Sequence, residues 1–304
     1  MGLVERSAEL HTRDTKTPHL LNIDNTYKPE NWYMYAQLPD VLCADPYFQG
    51  ELESACFEKP ERLESHSKPT YVLAASTICA QSCAPKPLHI ILQSCRHERS
   101  DGKVFRFPTP EEKRVELYYA LLAGAKGFSY WWYTPHNEFH GCGTDLPEAK
   151  PLYEEIGRLG AEVRSVGDLI TRSCPAHLET IAPRDVKTAV LLVGMDTMIL
   201  LCVNENIRCH LMGTDVTPVE DVKIECRIPK WLKDPVAFEV TWQGTKDVAF
   251  ENNQDAMRLE LGVLSLTRMV VITNNQQLRS EIQSRYLEEF AEKIALLTAQ
   301  SLRN

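Results

Sequence analysis

Four apolar runs share one habit: each is continuous rather than alternating, and a helical stretch follows each. They are Lys16–Asp24, Val41–Tyr47, Pro87–Gln93 and the aromatic stretch Gly124–Tyr133. Strands that are apolar along their whole length suit a parallel sheet covered on both faces, because an exposed face would demand polar residues at every second position. The order βαβαβαβα over the first 170 residues therefore predicts an α/β sheet. In such sheets the loops after the carboxyl ends of the strands build the ligand site. Polar or aromatic residues recur at those ends: Asp24, Asp45, Gln93 and the loop after Tyr133.

The helices between the strands carry their own signals. Residues 3–14 close a helix, and residues 25–32 read as loop or a helix start. A polar, Glu-rich connection follows Pro46, and Tyr71–Cys83 has a helical apolar pattern that stops at Pro85. After a loop over Ser94–Pro108, Thr109-Pro-Glu-Glu supplies an N-cap, a proline at the first helical position and acids in the first turn. That helix runs to Leu122, and one more spans Leu152–Ile170.

From Val186 onward the pattern changes to short strands separated by turn residues, through Ile272. This predicts an antiparallel β-sandwich, with residues 174–185 as the boundary. Leu278, Ile282, Tyr286, Phe290, Ile294 and Leu297 then recur at helical spacing, predicting one amphipathic helix over Gln276–Leu302 that packs on the protein's own body. The expected domains are 1–178, 183–274 and 275–304.

Composition narrows the partners. A net charge of −9 argues against nucleic acid or an anionic membrane as the main partner. No segment approaches the ~20 apolar residues of a membrane helix. The ten cysteines are scattered without Cys-x-x-Cys pairs, several inside apolar runs, which fits buried thiols in a reducing, cytoplasmic setting better than disulfides or zinc. The amino-terminal residues lack the apolar core of a signal peptide. His136-Asn-Glu-Phe-His140 has the residue types of a zinc motif, but that motif needs a helix and here Pro135 and Gly141 flank a loop, so no metal and no cofactor are expected.

The runs Pro87–Gln93, Phe107-Pro-Thr-Pro-Glu-Glu-Lys-Arg114 and Tyr118–Tyr133 resemble strands seven and eight of glycoside-hydrolase-like (β/α)8 barrels that carry a β-sandwich after the barrel. A complete barrel takes eight βα units and ~250 residues, whereas four units precede the sandwich. The resemblance implies a partial (β/α)8 barrel, units five to eight, plus an antiparallel β-sandwich and a C-terminal helix. It further implies a carbohydrate substrate or ligand, and either a separately encoded N-terminal half-barrel or self-association. Glycosidases need a pair of carboxylic acids, one to protonate the leaving oxygen and one to attack or to activate water. By the resemblance the acid/base follows strand four, which is absent, and the strand-seven position holds Gln93, an amide without that chemistry. Asp45 and Glu98 are the remaining catalytic candidates, although a charged loop residue such as Glu98 is usually solvated. Asp24, Tyr47, Gln93, Trp131, Trp132, Tyr133, His136 and Glu138 are candidate sugar contacts, since aromatic rings stack on sugar faces and polar groups take the hydroxyls. The plainer alternative is that the aspartates cap loops and the aromatics are core. Alternation predicts that only one of Trp131 and Trp132 faces the site. As isolated, the chain is expected not to hydrolyse glycosides; the alternative is a non-catalytic carbohydrate-binding or assembly module.

Overall fold

The computed structural model describes residues 2–24, 29–136, 138–253 and 255–301. The expected loop at 25–28, Asn137 in the His136–Cys142 loop and Leu302 at the end of the last helix lie outside them. In chain order the first elements are α1 Leu3–Arg13, β1 Leu20–Ile23, α2 Pro29–Tyr35, β2 Val41–Ala44, α3 Phe48–Phe57, α4 Thr70–Cys83 and β3 Leu88–Gln93. Then come β4 Cys95–Glu98, β5 Val104–Phe105, α5 Pro110–Leu122, β6 Gly127–Trp131, β7 Phe139–Gly141, α6 Ala149–Ser165 and α7 Gly167–Arg172.

β1, β2, β3 and β6 form one parallel sheet in that order. The register aligns Ile23, Ala44, Ile90 and Phe128 on one face and Asn22, Cys43, His89 and Gly127 on the other. The first face is apolar: Leu42, Ala44, Leu88, Ile90 and Leu92 merge with Val72, Ala75, Cys79 and Cys83 of α4 and with Val115–Leu122 of α5 into one buried cluster. Each such fully buried aliphatic contributes roughly 1.5–3 kcal/mol. The second face is mixed. Cys43 is buried, His89, Ile91, Ser129 and Trp131 are half-buried, and Asn22 is exposed. The sheet is therefore helix-covered on one face, not on both as the continuous apolar runs implied. The alternate positions are small or amphipathic residues, which read as apolar in sequence yet leave the second face partly open.

α5 is placed by its cap. Thr109 Oγ1 accepts the Glu112 N–H at 3.2 Å and Glu112 returns the bond to the Thr109 N–H at 3.0 Å, an arrangement whose loss costs about 0.5–2 kcal/mol. The fully buried Glu112 also binds Arg106, at 2.6 Å.

Five expectations change here. The connection after Pro46 is helix α3, because Phe48, Leu52 and Ala55 form a buried stripe behind its glutamates. The loop over 94–108 contains β4 and β5, which pair with β7 from the His136–Cys142 loop as a small antiparallel sheet. Leu152–Ile170 is two helices, parted at Val166–Gly167. The C-terminal segment is also two, α8 and α9 below, parted at Phe290. Finally, the boundary stretch 174–185 already holds two strands of the region beyond it, β8 Cys174–Ala176 and β9 Thr180–Ile181.

The following strands are β10 Val186–Val193, β11 Thr197–Asn204, β12 Ile207–His210, β13 Gly213–Val216, β14 Val219–Arg227, β15 Val236–Thr241, β16 Gly244–Asp247, β17 Ala249–Asn253, β18 Ala256–Leu264 and β19 Thr267–Thr273. They pair antiparallel into sheets of order β16-β15-β19-β11-β10-β8 and β17-β18-β14-β9, with β12-β13 as a separate hairpin. Val190, Met198, Leu200, Val270 and Ile272 from the first sheet share a buried cluster with Val222, Ile224, Met257, Leu259 and Leu264 from the second. Helices α8 Leu278–Glu289 and α9 Ala291–Ser301 return the chain to α6, where Tyr286, Phe290 and Ile294 bury against Ala161. The apolar stripe thus packs on the protein itself. No described helix is long and apolar enough to cross a membrane.

Candidate functional site at the carboxyl ends of the parallel strands

Because the four strands run parallel in sequential order, their carboxyl ends form a row: Asp24 after β1, Asp45 after β2, Gln93 ending β3 and Trp131 ending β6. Asp45 is 4% exposed. Its Oδ2 accepts the Asn22 side-chain N–H at 3.2 Å, while Oδ1 has no partner at hydrogen-bond geometry. Burial is the main force on this carboxyl, and the negative charge of Asp24 adds to it; bonds from Asn22 and the neighbouring Tyr47 hydroxyl oppose them. The outcome is a pKa raised to about 6. A carboxylic acid that keeps its proton to nearly neutral pH suits general acid work. Tyr47 is itself pushed well above the ordinary phenol range by burial and by Asp45.

An aromatic cluster adjoins this acid. Tyr47 stacks on Trp131, with centroids 5.6 Å apart and planes 24° from parallel. Trp131 meets Phe139 edge-on at 5.1 Å and Trp132 at 5.1 Å. Trp132 in turn lies 5.4 Å from the His136 ring. Both tryptophans therefore belong to one cluster, against the expectation from alternation. β6 ends at Trp131, so Trp132 is not a strand position. Tyr133 goes elsewhere. It is exposed, 6.3 Å from Tyr153, and lines a cleft of about 810 Å³ with Thr144, Asp145, Lys150 and Glu154. Gly143 is needed there, since a Cβ on it would sit 2.4 Å from the Tyr133 ring.

Gln93 is buried at the base of the row. Its backbone carbonyl accepts a bond from the Lys113 ammonium, which pairs at 2.5 Å with Glu116; Gln49 completes the group by donating to Glu116 at 2.5 Å. All three side chains are buried. The network fixes the end of β3 and leaves no carboxylate at Gln93.

Glu98 lies on β4, in the small antiparallel sheet rather than the parallel one. Its carboxylate is paired with Arg96 at 2.5 Å and His140 at 3.5 Å, and the Arg96 bond holds its pKa below the ordinary value. Glu138 lies 3.8 Å from His97 Nε2. His97 stacks on Phe139 at 4.5 Å and bonds the buried carboxylate of Glu53 through Nδ1 at 2.9 Å. Glu53 and His97 were not singled out in the sequence. Glu53 lies on the helix read as a polar connection, and only the fold brings it to β4.

A parallel sheet with acidic and aromatic groups at its carboxyl ends is thus followed by paired antiparallel sheets. The chain is similar in structure to a cycloisomaltooligosaccharide glucanotransferase from Paenibacillus sp. in complex with cycloisomaltoheptaose: the TM-score is 0.57 at 7% identity, covering 88% of this chain and 58% of that one. Weaker likenesses are to a GH51 arabinofuranosidase from Xanthomonas axonopodis pv. citri, with TM-score 0.48, 8% identity and coverage of 90% and 63%. Another is alpha-L-fucosidase isoenzyme 1 from Paenibacillus thiaminolyticus, with TM-score 0.40, 12% identity and coverage of 88% and 60%. At these identities the likeness concerns fold alone, and the chain spans well under two thirds of the glucanotransferase. No family model matches the sequence, and no curated protein does.

Proposed function

We propose that this chain is a carbohydrate-active, glycoside-hydrolase-like protein whose elements up to α7 supply units five to eight of a (β/α)8 barrel, with a β-sandwich from β8 to β19 and a helical segment of α8 and α9. The observation that carries the reading is the second face of the parallel sheet. In a closed barrel one face of every strand looks inward and the helices cover the other. Here Asn22, Cys43, Asp45, His89, Gln93, Ser129 and Trp131 occupy the face without helices, and the polar and aromatic ones concentrate toward the carboxyl ends.

In this reading a sugar ring stacks on Trp131 and Trp132, and Tyr47, Gln93, Asp24, His136 and Glu138 take hydroxyls. Asp45 is the acid able to hand a proton to a departing oxygen. Hydrolysis needs a second carboxyl group, roughly 5–9.5 Å away, to attack or to activate water. Glu98 is engaged by Arg96, and Gln93 is an amide, so the pair is completed by a half-barrel lying outside these residues or on a partner. The exposed edge of β1, where Leu20 is 56% exposed, is where further strands would add.

The test is incubation of the purified chain with a panel of aryl glycosides and, separately, titration with oligosaccharides followed by tryptophan fluorescence. We expect binding that Trp131→Ala abolishes, and no turnover. Turnover lost in Asp45→Asn or Glu98→Gln would refute the missing partner. A second reading, a binding or assembly module without chemistry, is favoured by Gln93 and its Lys113 anchor. It predicts no hydrolysis even after reconstitution with an amino-terminal half.

A further inference from the structure

At the opposite, amino ends of the same strands, three side chains from separate segments converge: His11 on α1, His19 just before β1 and Asp40 just before β2. Ligand atoms from the three lie within 4.8 Å of one another. We propose that they form a binding site for a divalent transition-metal ion of the zinc class, one that ties α1 to the edge of the sheet.

The hydrogen bonds decide what the nitrogens present. His11 Nδ1 lies 2.8 Å from the Ser7 carbonyl oxygen, which can only accept, so Nδ1 carries a proton and Nε2 is the nitrogen left to ligate. That Nε2 faces Asp40 Oδ2 at 3.4 Å. His19 Nδ1 lies 3.1 Å from His11 Nδ1, which brings the two rings together beside Asp40. A ring nitrogen and a carboxylate oxygen facing each other at this distance are held by a proton or a metal cation between them. Tetrahedral zinc, with bonds of 2.0–2.1 Å, separates neighbouring ligand atoms by about 3.3 Å, which matches the His11–Asp40 spacing.

The supports are those of a ligand set. Metal-bound histidines commonly donate their second N–H to a backbone carbonyl, which fixes the tautomer; Ser7 does so for His11. Asp40 Oδ2 is aimed by the His19 backbone N–H at 2.8 Å, and the Asp40 N–H returns to the His19 carbonyl at 2.9 Å. Two imidazoles and one carboxylate suit zinc, nickel or copper rather than calcium or magnesium, and three protein ligands leave a fourth position for water. The site also supplies what α1 lacks. That helix buries no residue, and Leu3, Val4 and Leu10 are exposed.

The test uses the full chain, stripped with a chelator and desalted. Zinc is titrated calorimetrically and cobalt by its visible absorption. The expected result is one ion per chain with the intense bands of a four-coordinate cobalt site. His11→Gln, His19→Gln and Asp40→Asn should each weaken binding at least ~10-fold, whereas Cys174→Ser, at the exposed thiol, should leave it unchanged. Zinc should also slow tryptic cleavage after Arg13 in the parent chain and not in His19→Gln. No uptake at millimolar zinc, binding that survives the histidine variants, or loss in Cys174→Ser would each overturn the proposal. None of the three residues lies in the buried core, and unchanged far-UV circular dichroism of the variants separates lost ligation from lost fold.

Discussion

Replacing Asp45 with asparagine should make the protein more stable at neutral pH, and the size of the gain follows from the site. The carboxyl titrates at about 6 in the folded chain against an ordinary 3.8. Below 3.8 both states hold the proton and nothing is lost. Between the two values the folded state keeps a proton that the unfolded state releases, so stability falls as pH rises, and above 6 the penalty is complete. At about 1.4 kcal/mol per unit the ceiling is about 3 kcal/mol. Water reaching the mouth of the site screens part of it, leaving about 1–2 kcal/mol. Asparagine keeps an oxygen for the Asn22 bond and never carries the charge. Urea denaturation of both proteins across the interval between those two values, and on above pH 6, measures the difference directly. The gap should be small at the acidic end, widen toward pH 6 and then level. A variant no more stable than its parent at pH 7, or a gap that does not depend on pH, would refute the assignment of Asp45 as a buried acid held against its preference.

Four further outcomes follow from the packing. Lys113→Met leaves Glu116 buried without its cation, and should destabilise the fold by about 3–5 kcal/mol; adding Glu116→Gln should return part of that loss in the same denaturation assay. Gly141→Ala places a Cβ 2.3 Å from the Tyr133 backbone and should cost about 1–3 kcal/mol. Gly160→Ala, on α6 with nothing within 4 Å, should instead gain about 0.5–1 kcal/mol, as thermal melts of the two will show. Glu98→Gln removes only solvent-exposed ion pairs and should leave stability nearly unchanged in the same denaturation assay. A larger loss would mean that Glu98 has buried partners not seen in its contacts with Arg96 and His140.

The sequence made the strand–helix alternation readable because each β run is apolar and each helix is punctuated. Thr109-Pro-Glu-Glu capped α5 as expected, and the stripe from Leu278 to Ile294 is buried as its spacing required. What stayed hidden depended on contacts far along the chain. β4, Cys-Arg-His-Glu, has no apolar pattern and is a strand only because β5 and β7 flank it. α3 was masked by its glutamates, one of which, Glu53, is buried against His97. Within the candidate site, strand ends located Asp45 and Trp131, but nothing local said that Tyr47 would stack on Trp131. Nor did anything local say that Tyr133 would turn toward Tyr153.

The one-sided covering of the parallel sheet has a calorimetric consequence. Denaturant sensitivity and the heat capacity of unfolding scale with the surface newly exposed. His89, Ile91, Ser129 and Trp131 are partly hydrated before unfolding begins. For a chain of 304 residues both quantities should therefore fall below the usual size trend. Whatever closes over that face should bind with a negative heat-capacity change, because it hides surface that the isolated chain leaves wet.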